Sequence, residues 1–216
     1  AEATTLAHEA RAARRIGLVG HEFRFAPERI AAAHAVNDGS IGTPRLALFS
    51  SRMSLVADPE VRVPPWWFDP DRGGGWLGAQ GSHMIDMIRS WCGEFAHVSA
   101  SLELVSERDA NAEDSFSVKF SMTSGLEGTL LQTAGAWGPR EDISWVAGSR
   151  GTVWLDGDSA HLANGAHPSG RTLDQDSWRI EEDAARPPGG DRGPYLFPAL
   201  AGAFRRALEF GEVVDQ

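Results

Sequence analysis

Apolar residues recur along this chain in two rhythms, and the changes of rhythm divide it into elements. Near the start, Ala3, Leu6, Ala10 and Ala13 fall on one helical stripe. Arg11, Arg14 and Arg15 sit toward its C-terminal end, where cations suit the helix dipole, and Gly17 follows. This predicts a helix over residues 3–15 and then a short strand over residues 16–23. Pro27 at a first helical position and Gly39 beyond a last one bracket a second helix, with Ile30, Ala33 and Val36 inward. Residues 45–55 alternate, placing Ala47, Phe49, Ser51, Met53 and Leu55 on one face and Leu46, Leu48, Ser50 and Arg52 on the other. Helical spacing returns over residues 78–92. Met84, Ile85, Met87, Ile88, Trp91 and Cys92 cover most of that helix, which should therefore be buried, and Gly93 suits its C′ position.

From residue 98 the period is two. Val98, Ala100, Leu102 and Leu104 alternate, as do Phe116, Val118, Phe120 and Met122, and then Ile143, Trp145 and Ala147. Thr123-Ser124-Gly125, Gly148-Ser149-Arg150-Gly151 and Asp156-Gly157 are tight-turn sequences between strands, with returns over 126–134, 152–155 and 160–162. Residues 164–193, rich in Gly, Pro, Asp and Ser, read as irregular, with a flexible loop over 186–191. Pro194 opens a last helix carrying Phe197, Leu200, Phe204 and Leu208 on one face. The sum is an α+β fold: a largely antiparallel mixed sheet with helices packed on one face and the other face open, a candidate partner surface.

Composition narrows the function classes. The chain has 216 residues, 42% of them hydrophobic, enough for a real core. Its 30 acidic and 20 basic residues leave a net charge of −10, which argues against nucleic acid or an anionic membrane as partner. No apolar run approaches the length of a spanning helix. The one cysteine, Cys92, cannot form an internal disulfide, so a cytoplasmic setting is expected. No Cys/His cluster has zinc spacing, and no Gly-x-Gly-x-x-Gly follows a strand.

The chemistry concentrates in WWFDPDRGGGWLGAQGSHMIDMIRSWCG, residues 66–93. Three successive glycines, Gly73, Gly74 and Gly75, cost backbone entropy, and a bare backbone there admits a close ligand. The helix that follows would turn its orphan N–H groups and positive end toward the glycine turn, a natural place for an anionic or electron-rich group. His83 lies in its early turns and shares a face with Asp86 at i, i+3. The same pattern also describes a tight turn followed by a satisfied core histidine. Trp66 and Trp67 suit stacking on a sugar-like or aromatic substrate, or equally core and interface packing. Arg24 suits an anionic ligand group or an acidic neighbour.

GGGWLGAQGSHMIDMIRSWCGE resembles the signature of the Gfo/Idh/MocA oxidoreductases (glucose-fructose oxidoreductase and inositol dehydrogenase-like), matching it at Gly73, Gly74, Gly75, Leu77, Gly81, His83, Asp86 and Gly93. VGHEFRFAPERIAAAHAVNDGSIGTP and VAGSRGTVWLDGD resemble two further blocks of that family, in family order. The resemblance departs at Ala79, where many members carry a catalytic Asp.

The resemblance implies that residues 24–216 form a dihydrodipicolinate-reductase-like domain for substrate binding and oligomerisation. Residues 1–23 would be the remnant of a Rossmann domain whose dinucleotide fingerprint and Glu-Lys-Pro lysine lie outside this chain. It implies hydride exchange between NAD or NADP and a sugar, cyclitol or related polyol. His83 would stand at the reacting hydroxyl with Asp86 in support. Trp67, Arg24, Gly74 and Gly75 would contact the substrate, and Gly73 and Trp66 the cofactor. Without a dinucleotide site the chain alone should be inactive. No metal is called for, and a homodimer or homotetramer through the open sheet face is expected. Ala79 favours the alternative, a non-catalytic nucleotide- or sugar-binding regulatory protein on the same fold.

Overall fold

A computed structural model describes residues 2–178 and 193–210, and the loop expected over 186–191 lies outside these described residues. The chain divides into two compact units. One holds residues 1–26 with the C-terminal helix, the other residues 27–178.

The larger unit is built on one eight-stranded sheet. Helix α2 (Pro27–Asn37) leads into β1 (Pro44–Arg52). Helix α3 (Ser82–Cys92) then precedes β2 (Phe95–Glu103), β3 (Ser115–Met122), β4 (Glu127–Thr133), β5 (Glu141–Gly148), β6 (Gly151–Asp156), β7 (Ser159–Asn164) and β8 (His167–Thr172). The strand order is β2-β3-β4-β1-β5-β6-β7-β8. Only β1 and β4 run parallel among these neighbours, because the long connection through α3 and two more strands returns β4 to the flank of β1. The fold is therefore the expected α+β arrangement.

The alternation predicted for β1 decides which side of the sheet faces the helices. Ala47, Phe49 and Ser51 are buried together with Phe116, Phe120, Leu130, Val146, Val153, Ala160 and Leu162. Against this face α3 places Met84, Met87, Ile88, Trp91 and Cys92, with the Trp91 ring edge-on to Phe49 at 5.7 Å. Ile85, expected among the buried positions, is 37% exposed. Helix α2 buries Ala31, Ala32, Ala35 and Val36, whereas Ile30 and Ala33 are only half-buried. Its alanine face lets it lie close to β6, β7 and α3. Burial pushes the Cys92 thiol up to about 12, so it is protonated and inert at neutral pH.

The opposite face carries a cross-strand row, Leu48, Trp145, Trp154, His161 and Thr172, in register across β1, β5, β6, β7 and β8. Trp154 and His161 stack at 5.3 Å with 17° between their planes. Leu46 and Leu131 on the same face are about half exposed, at 49% and 46%.

Three further expectations fail. Strand β8 falls within the stretch read as irregular, since Pro168, Ser169 and Gly170 mask its pairing with β7. Residues 16–21 form no strand, and residues Glu22–Phe25 make a 3-10 turn instead. In the smaller unit, helix α1 (Glu2–Ala12) buries none of its residues, and helix α4 (Gly193–Phe210) buries Leu196, Ala199, Ala203 and Ala207. Phe197, Phe204 and Leu208, expected inward, are exposed. The small side chains at intervals of three and four are what allow α4 to pack closely on the Glu22–Phe25 turn.

Candidate active-site segment

Residues 65–83 fold back on themselves before they enter α3. Pro65–Phe68 is one short 3-10 helix and Pro70–Arg72 another, the second capped by Asp69, whose carboxylate accepts from the Asp71 N–H at 3.1 Å. Gly73 ends it in the left-handed region, at φ 70°. Gly74 then donates to the Asp69 carbonyl at 2.9 Å and Gly75 to the Trp67 carbonyl at 2.6 Å. The glycine run is thereby clasped to the tryptophan segment. Trp66, Trp67, Gly73, Gly74 and Gly75 form one substructure.

Each glycine has its own reason. A side chain on Gly74 would collide with the backbone of Trp66 and Asp69. Gly75 combines φ 97° with a position where a side chain would enter the Glu113 carboxylate. Only Gly73 has open space on its side-chain side. The close approach anticipated for a ligand is, at Gly74 and Gly75, an approach of the protein to itself.

The start of the following helix is likewise occupied. Residues Leu77–Gly81 form a π turn that runs into α3, a distortion frequent at functional sites. The Trp76 N–H donates to the Glu113 carbonyl at 2.9 Å and the Leu77 N–H to Glu113 Oε1 at 3.0 Å. The anion expected at this helix end is a side chain of the chain itself, eased in by the absence of a side chain on Gly75.

That occupancy tests the fit of a dinucleotide. A pyrophosphate is ordinarily met by the first N–H groups of a helix after a glycine loop. Here Glu113 holds that position and its charge repels a phosphate, so the signature turn does not fit a dinucleotide pyrophosphate. Among the described residues no group of three or more His, Cys, Asp or Glu could hold a metal ion.

His83 is half-buried in the first turn of α3, and Asp86 is buried at 3% exposure. Ala79, on the π turn, packs as a partly buried apolar residue against the core. Trp67 also packs there, its ring 5.8 Å from buried Trp76 and 6.1 Å from Trp66. Arg24 lies on the Glu22–Phe25 turn of the other unit.

Sequence reasoning missed Glu113 and Asp114. Asp114 is 1% exposed, yet its carboxylate accepts from the N–H groups of Val105 and Ser106, both at 2.9 Å, and from the Ser115 hydroxyl at 2.8 Å. Burial alone would raise its pKa, but hydrogen bonds from Ser106, Val105 and Ser115 outweigh burial and hold it below the usual carboxylate range. The usable signal was two adjacent acids immediately before an alternating strand, a place where solvated charge is not expected.

A family model described as the GFO/IDH/MocA C-terminal domain matches residues 30–154. An uncharacterized oxidoreductase of Synechocystis sp. is 27% identical over 149 residues, 64% of this chain and 40% of the relative. Among solved structures, a levoglucosan dehydrogenase in complex with NADH and levoglucosan superposes with a TM-score of 0.76 at 20% identity, covering 94% of this chain and 59% of that one. An NAD binding oxidoreductase from Klebsiella pneumoniae gives 0.78 at 19% identity, covering 94% and 60%. This chain thus spans less than two thirds of the length of each of these relatives.

Proposed function

We propose, from the premise that this chain belongs to the GFO/IDH/MocA oxidoreductase family through its C-terminal domain, that it forms the substrate-binding part of an NAD(P)-dependent dehydrogenase of sugars, cyclitols or related polyols. The levoglucosan dehydrogenase to which it is similar is in complex with NADH and levoglucosan. The dinucleotide would be held by a domain outside this chain, with residues 1–23 at that domain's edge, since the signature turn is closed to a pyrophosphate.

The observation that carries the reading is His83: a half-buried imidazole on a helix whose buried residues are Met84, Met87, Ile88, Trp91 and Cys92, with Asp86 the one buried acid among them. A nicotinamide cofactor, when bound, takes the hydride from a carbinol carbon. The hydroxyl on that carbon must lose its proton, and a neutral imidazole can accept or relay it. Buried Asp86 supports the helix from which His83 projects. Trp67, backed by Trp76, and Trp66 offer an apolar wall of the kind that the C–H face of a sugar packs on. Gly73 leaves open space beside that wall, whereas Gly74 and Gly75 serve by clasping it.

The apolar packing of Ala79 favours a second reading, a non-catalytic sugar- or nucleotide-binding regulator, because that turn presents no proton acceptor. Fluorescence titration of NADH and NADPH into the full-length protein, followed by a polyol panel, separates the two. The enzyme reading expects cofactor binding with turnover; tight binding without turnover on any polyol moves the protein to the regulator. We place the self-association surface on the Leu48–Trp145–Trp154–His161 row, as a homodimer or homotetramer.

A further inference from the structure

Trp66 and Trp67 hang on a segment with little hydrogen bonding to hold it. Pro59, Pro64 and Pro65 have no N–H to give. The other bonds are local turns: Glu60 N–H to Asp58 Oδ1 at 2.9 Å, Val61 N–H to the Asp58 carbonyl at 3.2 Å, and Trp67 N–H to the Pro64 carbonyl at 3.0 Å. Among the described residues, the hydrogen bonds tying residues 58–65 to a distant part of the chain come from one side chain. Arg108 Nη2 donates to the carbonyls of Asp58 at 3.0 Å and Val61 at 2.8 Å. Its guanidinium carbon also lies 5.0 Å from the ring centroid of Phe68, the residue after Trp67. One guanidinium therefore grips the turn that opens the segment and the aromatic 3-10 helix that closes it. Its own backbone is fixed nearby, where the Asp114 carboxylate takes the N–H groups of Val105 and Ser106.

We propose that Arg108 is a positioning residue that holds the Trp66–Trp67 segment in place as one wall of the substrate cleft. The proposal rests on the reading of Trp67 as a substrate contact. Arg108→Ala removes two charge-assisted hydrogen bonds and the ring contact together. Arg108→Lys keeps a cation and donors but lacks the planar face that lies on Phe68, so it restores part of the hold.

Two readouts test this. In hydrogen exchange of the purified chain, Arg108→Ala should speed exchange of the Glu60, Val61 and Trp67 amides about tenfold, with β3 and β4 unchanged and Arg108→Lys intermediate. In the full-length enzyme, Arg108→Ala should raise KM about tenfold with kcat held within about twofold, because the wall binds ground and transition states alike. Unchanged exchange in residues 58–68 overturns the proposal, as does loosening that spreads equally through β3 and β4. Faster local exchange with unchanged KM, in an enzyme where Trp67→Ala does raise KM, overturns it too. If Trp67→Ala itself leaves KM unchanged, the substrate reading of Trp67 falls, and the exchange data alone decide whether Arg108 holds the segment.

Discussion

Glu113 Oε1 accepts the Leu77 N–H at 3.0 Å, so the helix that carries His83 is closed at its start by a carboxylate from the connection before β3. Glu113 also stands where a side chain on Gly75 would have to go. The pair explains a glycine and an acid that lie far apart in sequence.

Removing that carboxylate should loosen the helix start. Glu113→Ala leaves the Leu77 N–H without its partner and should cost about 1–3 kcal/mol. Glu113→Gln keeps an acceptor and loses only the charge at the dipole end, costing about 0.3–1 kcal/mol. Gly75→Ala should cost more in the native background than in Glu113→Ala, because one of its two penalties, the collision, is with that side chain. Urea denaturation of the native chain, the three single variants and the Gly75→Ala/Glu113→Ala double variant measures these differences; strictly additive costs for Gly75→Ala and Glu113→Ala would remove the coupling.

Asp114 should impose a pH dependence of definite sign. Its folded pKa lies below the unfolded carboxylate value of about 3.9. The stability it contributes is fully present above that unfolded value and is lost as the pH falls through the depressed folded value. Asp114→Asn should therefore be clearly less stable than the native chain at pH 7, with the gap narrowing toward pH 3. Denaturation midpoints at the two pH values check this, and a gap that widens on acidification would contradict it.

These two acids also mark the limit of sequence reading. Strands β1 and β3 to β7 were legible because alternation survives wherever one face is buried, as in Ala47-Phe49-Ser51 and Phe116-Val118-Phe120, and β2 showed the same alternation in Val98-Ala100-Leu102 although none of its residues is buried. Helix α3 was legible from its apolar spacing. Glu113, Asp114 and Arg108 were not, because their roles are contacts with backbone groups distant in sequence, and no local period records these. Strand β8 was hidden by its glycine and proline. Helix α4 misled because Phe197, Phe204 and Leu208 outweigh alanines by size, while close packing selected the alanines. The signature residues could be found in sequence, but whether the glycines face a ligand or the protein required coordinates.

The open face should behave as an interface. Trp154 lies mid-row, between Trp145 and His161. A charge there would have to be desolvated on association, so Trp154→Asp should weaken self-association by about tenfold or more, while the helix-packed face keeps the chain folded. Sedimentation of the native and variant proteins, with circular dichroism as a folding control, tests this. A native protein that sediments as a monomer would remove the surface from the account.

The most direct measurement concerns His83. In the full-length protein, turnover of a polyol panel with NAD and NADP is compared between the native enzyme and His83→Ala, with cofactor binding followed by fluorescence in both. The expected result is turnover in the native enzyme and a loss of about 10²–10⁴-fold in His83→Ala, with cofactor affinity retained. Turnover that survives in His83→Ala would contradict the assignment of the proton step to this imidazole.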